Sequence, residues 1–159
     1  MTDAAFEAAV EQYADIIFRL AYSYLKSRAD AEDVMQETLL KLYTEQKPFD
    51  SPDHERYWVT RVAVNECKRV LRSPWRRRTG PLEEFPETAV FDTPAQTELF
   101  QQVMRLPPKY RAAIYLHYYE GYAVGEIARL MSANPSTVQT WLMRARGQLK
   151  TNLKEAESL

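Results

Sequence analysis

Nine prolines, at positions 48, 52, 74, 81, 86, 94, 107, 108 and 135, set the terms on which this chain folds. Proline lacks the backbone N–H and its ring clashes with the preceding helical turn, so it breaks helix interiors. Long helices are therefore confined to the proline-free windows 1–47, 53–73, 95–106, 109–134 and 136–159. Strands have little to build on: no alternating apolar–polar run of useful length occurs, and no Asn-Gly or Asp-Gly pair offers a hairpin turn. Glycine is also scarce, at 4 of 159 residues against an average near 7%. The chain reads as all-α.

In the first window Phe6, Val10, Tyr13, Ile17, Leu20 and Tyr24 recur at spacings of four, three, four, three and four. That is one buried stripe along a helix. The window splits near Ser27-Arg28. Asp30 is expected to cap a second helix, DAEDVMQETLLKLYTEQ, with Asp33 in its first turn, stopping before Pro48. A third helix is expected over about 54–72, with Trp58, Val62 and Val70 among its apolar positions. The segment 74–95, PWRRRTGPLEEFPETAVFDTPA, then packs four prolines, a glycine and seven charges into 22 residues. It is expected to be a semi-extended linker. The architecture is thus two small helical domains, 1–73 and 96–159, joined by a proline-rich linker. Domains of this size bury modest cores and lean on partners for stability.

Lys plus Arg number 21 and Asp plus Glu 22, for a net charge of −1. That excludes a uniformly basic nucleic-acid coat and argues against a polybasic membrane binder. The charge is unevenly spread: net −3 over 1–73, −1 over 74–95 and +3 over 96–159. The C-terminal part is the better partner for a polyanion. The lone cysteine, Cys67, forms no intramolecular disulfide, and with His54 and His117 far apart no structural zinc set is available. Cys67 reads as a buried small hydrophobe. No metal or cofactor is expected. The N-terminus lacks a basic-then-apolar signal pattern and no apolar run is long enough to cross a bilayer, so no membrane insertion is expected. A protein of the reducing cytoplasm is the natural expectation.

Residues 121–149, GYAVGEIARLMSANPSTVQTWLMRARGQL, lay out a helix from Ala123 to Met131, a break at Ser132-Ala133-Asn134, and a second helix with Pro135 in its first turn. Helix, tight turn, helix is the arrangement of a DNA-reading helix-turn-helix. Val124, Ile127, Ala128 and Met131 should face inward, as should Val138, Leu142, Ala145 and Leu149. Stepping 100° per residue from Val138 points Ser136, Thr140, Met143 and Gly147 outward, with Gln139 and Lys150 on one flank and Arg144 on the other. Hydroxyl, amide and guanidinium groups so placed read base edges and grip phosphates. The plainer alternative is a helical hairpin with a wet polar face.

Two further segments are dense in polar groups. In DAEDVMQETLLKLY, Asp33, Gln36 and Glu37 lie three and four apart on one exposed side, an acidic docking face; the plainer role of these acids is to complement the helix dipole. In YWVTRVAVNECKRVLR, positions 61, 65, 68 and 72 repeat at four, three and four. Arg61, Asn65, Lys68 and Arg72, with Arg69 beside them, form a mostly basic stripe suited to single-stranded DNA. Trp58 is the aromatic near that stripe, though a core position suits it better.

These blocks, in this order and spacing, resemble sigma factors of bacterial RNA polymerase, and among them the two-domain extracytoplasmic-function group. The motifs are DAEDVMQETLLKLY, YWVTRVAVNECKRVLR and LPPKYRAAIYLHYYEGYAVGEIARLMSANPSTVQTWLMRARGQL. The resemblance covers nearly the whole chain, least in the linker. It implies core RNA polymerase and promoter DNA as partners, with an anti-sigma factor as inhibitor. It implies that Asp33, Gln36 and Glu37 dock on the polymerase. It implies that Trp58, Arg61, Asn65, Lys68, Arg69 and Arg72 serve recognition and melting of the minus-10 element. Ser136, Thr137, Gln139, Thr140, Arg144 and Arg146 would read the minus-35 element. Arg76-Arg77-Arg78, in a linker that threads toward the active-site channel, would lie near nucleic acid; such runs are more often simply solvated.

Three departures stand out. The family's reading helix often carries Lys-Ser-Arg or Lys-Thr-Arg where this chain has Gln139-Thr140-Trp141, so two cations are missing and a weaker phosphate grip is expected. Ser132 stands where the turn often has glycine, and Ala123 where the first helix often starts with Ser or Thr. Two other readings compete. A stand-alone helix-turn-helix regulator would dimerise on a palindrome, but leaves the acidic block and basic stripe unexplained. A helical enzyme would use pairs such as Glu32-Asp33 or Glu83-Glu84, but no partner groups, phosphate loop or metal-ligand spacing accompany them. The expected protein has no enzymatic activity of its own.

Overall fold

Helix α1 (Asp3–Leu25) starts where Thr2, in extended backbone, accepts the Ala5 N–H on its hydroxyl at 3.1 Å. It stops where Lys26 turns left-handed at φ 56. The computed structural model describes residues 1–73 and 94–158, with side chains over 1–73 and 98–153. Most of the expected linker, including Arg76-Arg77-Arg78, lies outside the described residues. The chain divides into two units, Met1–Glu83 and Glu84–Leu159. Every element among the described residues is helical, with no strand.

In the first unit α2 spans Arg28–Thr44 and α3 spans Pro52–Leu71. The cap of α2 is Ser27 rather than Asp30: the Ser27 hydroxyl accepts the Asp30 N–H at 3.2 Å. A helix has one cap position, and Ser27 is the residue with extended backbone (φ −145); Asp30 sits inside the first turn, where its charge still complements the dipole. Helix α3 likewise begins earlier than expected, capped by Ser51 through the His54 N–H at 3.1 Å, with Pro52 opening the helix. The three helices pack against one another. Tyr13, Ile17, Leu20 and Tyr24 of the expected stripe are buried, whereas Phe6 and Val10 are half-buried. They meet Val34, Leu39 and Leu42 from α2, and Val59, Ala63, Val64 and Cys67 from α3. Each large aliphatic side chain so buried contributes roughly 1.5–3 kcal/mol.

The second unit opens with α4 (Pro94–Met104), so the last two residues of the expected linker are already helical. Then come α5 (Pro108–Ile114), a π-helical turn over Tyr115–Tyr119, α6 (Val124–Met131) and α7 (Pro135–Ser158). In the π turn the Glu120 N–H reaches back five residues to the Tyr115 carbonyl at 3.2 Å. Gly121, at φ +75, then turns the chain toward α6. Helix α7 is the spine of this unit, with α4, α5 and α6 packed on it. Val138, Leu142 and Ala145 are buried there together with Phe100, Met104, Leu116, Ile127 and Leu130. Arg111 is only 6% exposed and donates to the Leu106 carbonyl at 2.6 Å, closing the turn between α4 and α5. No described helix is long and apolar enough to cross a membrane.

Candidate nucleic-acid interface

Helices α6 and α7 form the helix-turn-helix. Ala123 stands at the cap of α6 without an acceptor side chain, and the Glu126 carboxylate compensates in part by accepting the Ala123 N–H at 2.9 Å. The turn closes on Ser132 in left-handed backbone, φ 55 and ψ 49, and the Ala133 N–H returns to the Ala128 carbonyl at 2.9 Å. Ile127, Ala128 and Met131 face inward as expected, while Val124 and Leu149 are half-buried.

The outer face of α7 carries the groups that the 100° stepping placed there. Ser136, Gln139 and Arg144 are exposed and Thr140 is half-buried; Thr137, which the family resemblance alone added, is half-buried as well. The Thr140 hydroxyl donates back to the Ser136 carbonyl at 3.0 Å, which commits its proton and leaves its oxygen able to accept. Met143, 61% exposed, is an apolar side chain in the middle of this polar face; apolar groups there suit a thymine methyl. Arg146 is exposed but engaged: its Nη1 donates to the Tyr118 hydroxyl at 2.8 Å, tying α7 to the π-helical turn. That bond uses one of the five guanidinium N–H donors and orients the rest.

In the first unit the expected basic stripe of α3 is an outward face. Asn65, Arg69 and Arg72 are exposed, and Arg61 and Lys68 are half-buried. Arg69 is anchored: its Nε and Nη2 bind Glu66 Oε2 at 3.0 and 2.9 Å. Glu66 itself is buried and also takes Lys41 Nζ from α2 at 2.5 Å. Burial alone would raise the Glu66 carboxyl, but hydrogen bonds from Lys41 and Arg69 outweigh it and hold it below the usual range.

Trp58 is neither in the core nor free in solvent. It is half-buried and meets Phe49 edge-to-face at 5.5 Å, while Phe49 meets His54 in the same way at 5.3 Å. These rings, with Glu45, Lys47 and Pro48, line a cleft of about 350 Å³. The loop beneath is fixed by His54 Nδ1, which accepts the Asp50 N–H at 3.0 Å. Trp58 precedes Asn65 by seven residues, two turns, so the ring that borders the cleft lies on the same side of α3 as Asn65 of the basic stripe. Sequence reasoning missed this cleft because Phe49 lies between the helices, where periodicity gives no signal.

Asp33 and Gln36 are exposed and Glu37 half-buried on one side of α2, as expected. Leu40, 55% exposed, extends that side by one turn. It was legible in principle: it lies three residues from Glu37 and four from Gln36, on the polar face.

Comparison with known proteins agrees with both units. The sigma-70 region 2 family matches residues 9–77, and the sigma-70 region 4 family matches 96–149. The RNA polymerase sigma factor SigV of Bacillus subtilis is 27% identical over 158 residues, covering 98% of this chain and 95% of that protein. The ECF RNA polymerase sigma factor SigE of Mycolicibacterium smegmatis is 29% identical over 164 residues; the match covers 97% of this chain but 63% of that longer protein. Among solved structures, the sigma factor RpoE from Bartonella quintana, crystallised with the anti-sigma factor NepR, shares the fold. It has a TM-score of 0.74 and 22% identity, covering 94% of this chain and 97% of that one.

Proposed function

The chain belongs to the sigma-70 family, in its extracytoplasmic-function group, and on that premise we propose how its residues share the work of directing promoter-specific transcription initiation. Residues 1–73 dock on core RNA polymerase and open the minus-10 element. Residues 96–159 read the minus-35 element. The observation that carries the reading is the layout of α7: Val138, Leu142 and Ala145 are buried on one side while Ser136, Gln139 and Arg144 stand exposed on the other, directly after a three-residue turn.

Asp33, Gln36, Glu37 and Leu40 form the docking face, polar groups for orientation and one exposed leucine to bury. Trp58, Arg61, Asn65, Lys68, Arg69 and Arg72 hold the opened minus-10 strand. Unstacking a base step costs a few kcal/mol, and stacking a freed base on an aromatic ring returns about 1–3 kcal/mol. The cleft beside Trp58 and Phe49 is the place for such a base. Ser136, Thr137, Gln139, Thr140, Arg144 and Arg146 read minus-35 DNA, with Tyr118 orienting Arg146. Two weak DNA sites on one chain reinforce each other once the polymerase holds them at the right spacing. No residue of the chain is assigned a catalytic role, and no cofactor is required. The work belongs in the cytoplasm, and a protein inhibitor of the anti-sigma kind is proposed as a further partner, as the RpoE complex has.

A stand-alone helix-turn-helix regulator leaves the first unit without a task, which the match of residues 9–77 to sigma-70 region 2 supplies. The test is reconstituted transcription from a library of random promoters with core RNA polymerase and this chain. Arg144→Ala should lower promoter-dependent transcripts while polymerase binding stays intact; lost polymerase binding would overturn the minus-35 role of Arg144.

A further inference from the structure

The reading helix lacks the two cations its relatives often carry, yet the structure supplies one from another helix. Lys109 of α5 places Nζ 5.7 Å from the centre of the Trp141 ring, within range of a cation–π contact. Trp141 is half-buried and Lys109 exposed, so the ammonium is held from below and open to solvent above. The next residue, Tyr110, lines an open cleft of about 490 Å³ with Arg144, Gly147, Gln148, Thr151 and Asn152 of α7. That cleft joins the flank of α7 to its outer face, because Gly147 lies at the centre of the outer face and Arg144 at its edge. Lys109 and Arg144 thus border the same side of the reading helix. Duplex DNA with a helix in its major groove runs a phosphate strand along such a flank.

We propose that Lys109, carried on the Trp141 ring, is a phosphate-binding residue beside the reading helix, and that Trp141 is its positioning residue. This inference rests on the helix-turn-helix reading above. Trp141 at the position of a missing cation is then an exchange: the charge comes from α5 and the ring that aims it comes from α7. A lysine on a flexible four-carbon stem gains most from such a platform, since a point charge has no geometry of its own to fix it.

The probe is a labelled 30-base-pair random-sequence duplex, titrated with the full chain across a series of salt concentrations. Each phosphate contact contributes about 0.9 to the slope of log affinity against log salt. Lys109→Gln and Trp141→Leu should each lower the slope by about one unit, Trp141→Phe should restore it, and all should keep the helical spectrum of the parent. Arg144→Gln tests the underlying reading in the same assay. A lowered slope for Arg144→Gln with an unchanged slope for Lys109→Gln overturns this inference alone. A lowered slope for Lys109→Gln with none for Trp141→Leu overturns the positioning role. Unchanged slopes for both Arg144→Gln and Lys109→Gln, or no binding of the duplex, overturn the helix-turn-helix reading along with it.

Discussion

Lys41 on α2 and Glu66 on α3 form an ion pair, Nζ to Oε1 at 2.5 Å, with Glu66 buried and Lys41 about half exposed. The pair joins the helix that carries the proposed docking face to the helix that carries the basic stripe. Arg69, itself on that stripe, completes the arrangement from the other carboxylate oxygen. One buried carboxylate therefore ties α2 to α3 and fixes the direction of a cation proposed to contact DNA.

Glu66→Gln should destabilise the chain by about 1–2 kcal/mol at neutral pH. Breaking a buried pair costs more, about 3–5 kcal/mol, but Lys41 and Arg69 are exposed enough to regain water. The pH dependence has a definite sign. The Glu66 carboxyl titrates lower in the fold than its ordinary value, so the unfolded chain binds more protons between the two values. Its contribution is full above the ordinary glutamate value of about 4.3 and disappears as pH falls through the lower folded value. Urea unfolding from pH 3 to pH 7 should show the gap between parent and Glu66→Gln closing at the acid end. A gap that is constant in pH would contradict the assignment.

Ser132→Gly should stabilise the second unit by about 0.5–1 kcal/mol. An L-residue in left-handed backbone costs about 1–2 kcal/mol, and Ser132 sits there at φ 55. Glycine removes that cost but has more freedom to lose on folding. Thermal unfolding of the two chains decides it; a lower midpoint for Ser132→Gly would show that the serine side chain does more for the turn than its backbone costs.

Much of this was legible in the residues, and the boundary of what was legible is physical. Val138, Leu142 and Ala145 announced the buried side of α7 because a helix repeats every 3.6 residues. Asp33 and Gln36 were readable as exposed for the same reason. Periodicity does not choose between Ser27 and Asp30 as a cap, since both types cap well and only the backbone angles decide. Nor does it reveal the π turn at Tyr115–Tyr119, where one extra residue shifts the register and brings Tyr118 within reach of Arg146. The pairing of Lys109 with Trp141 joins residues 32 positions apart on different helices, and composition alone recorded only the missing charges.

Trp58→Leu should slow promoter opening with little effect on polymerase binding. Leucine keeps apolar bulk against Phe49 but offers no face for a base. At about 1–3 kcal/mol per stacked base, open complexes, read by permanganate reactivity of unpaired thymines, should fall by about 5- to 150-fold, and Trp58→Tyr should recover most of the loss. Equal opening by the leucine variant would remove Trp58 from the minus-10 site and return it to a packing role.

The most direct test of the account is titration of the labelled full chain with bacterial core RNA polymerase free of its own sigma factor, followed by fluorescence anisotropy. The account predicts saturable one-to-one binding, competed by another sigma factor and weakened at least tenfold by combining Gln36→Ala, Glu37→Ala and Leu40→Asp, with the helical spectrum retained. Absence of binding at micromolar protein, or binding that the triple variant leaves unchanged, would contradict it.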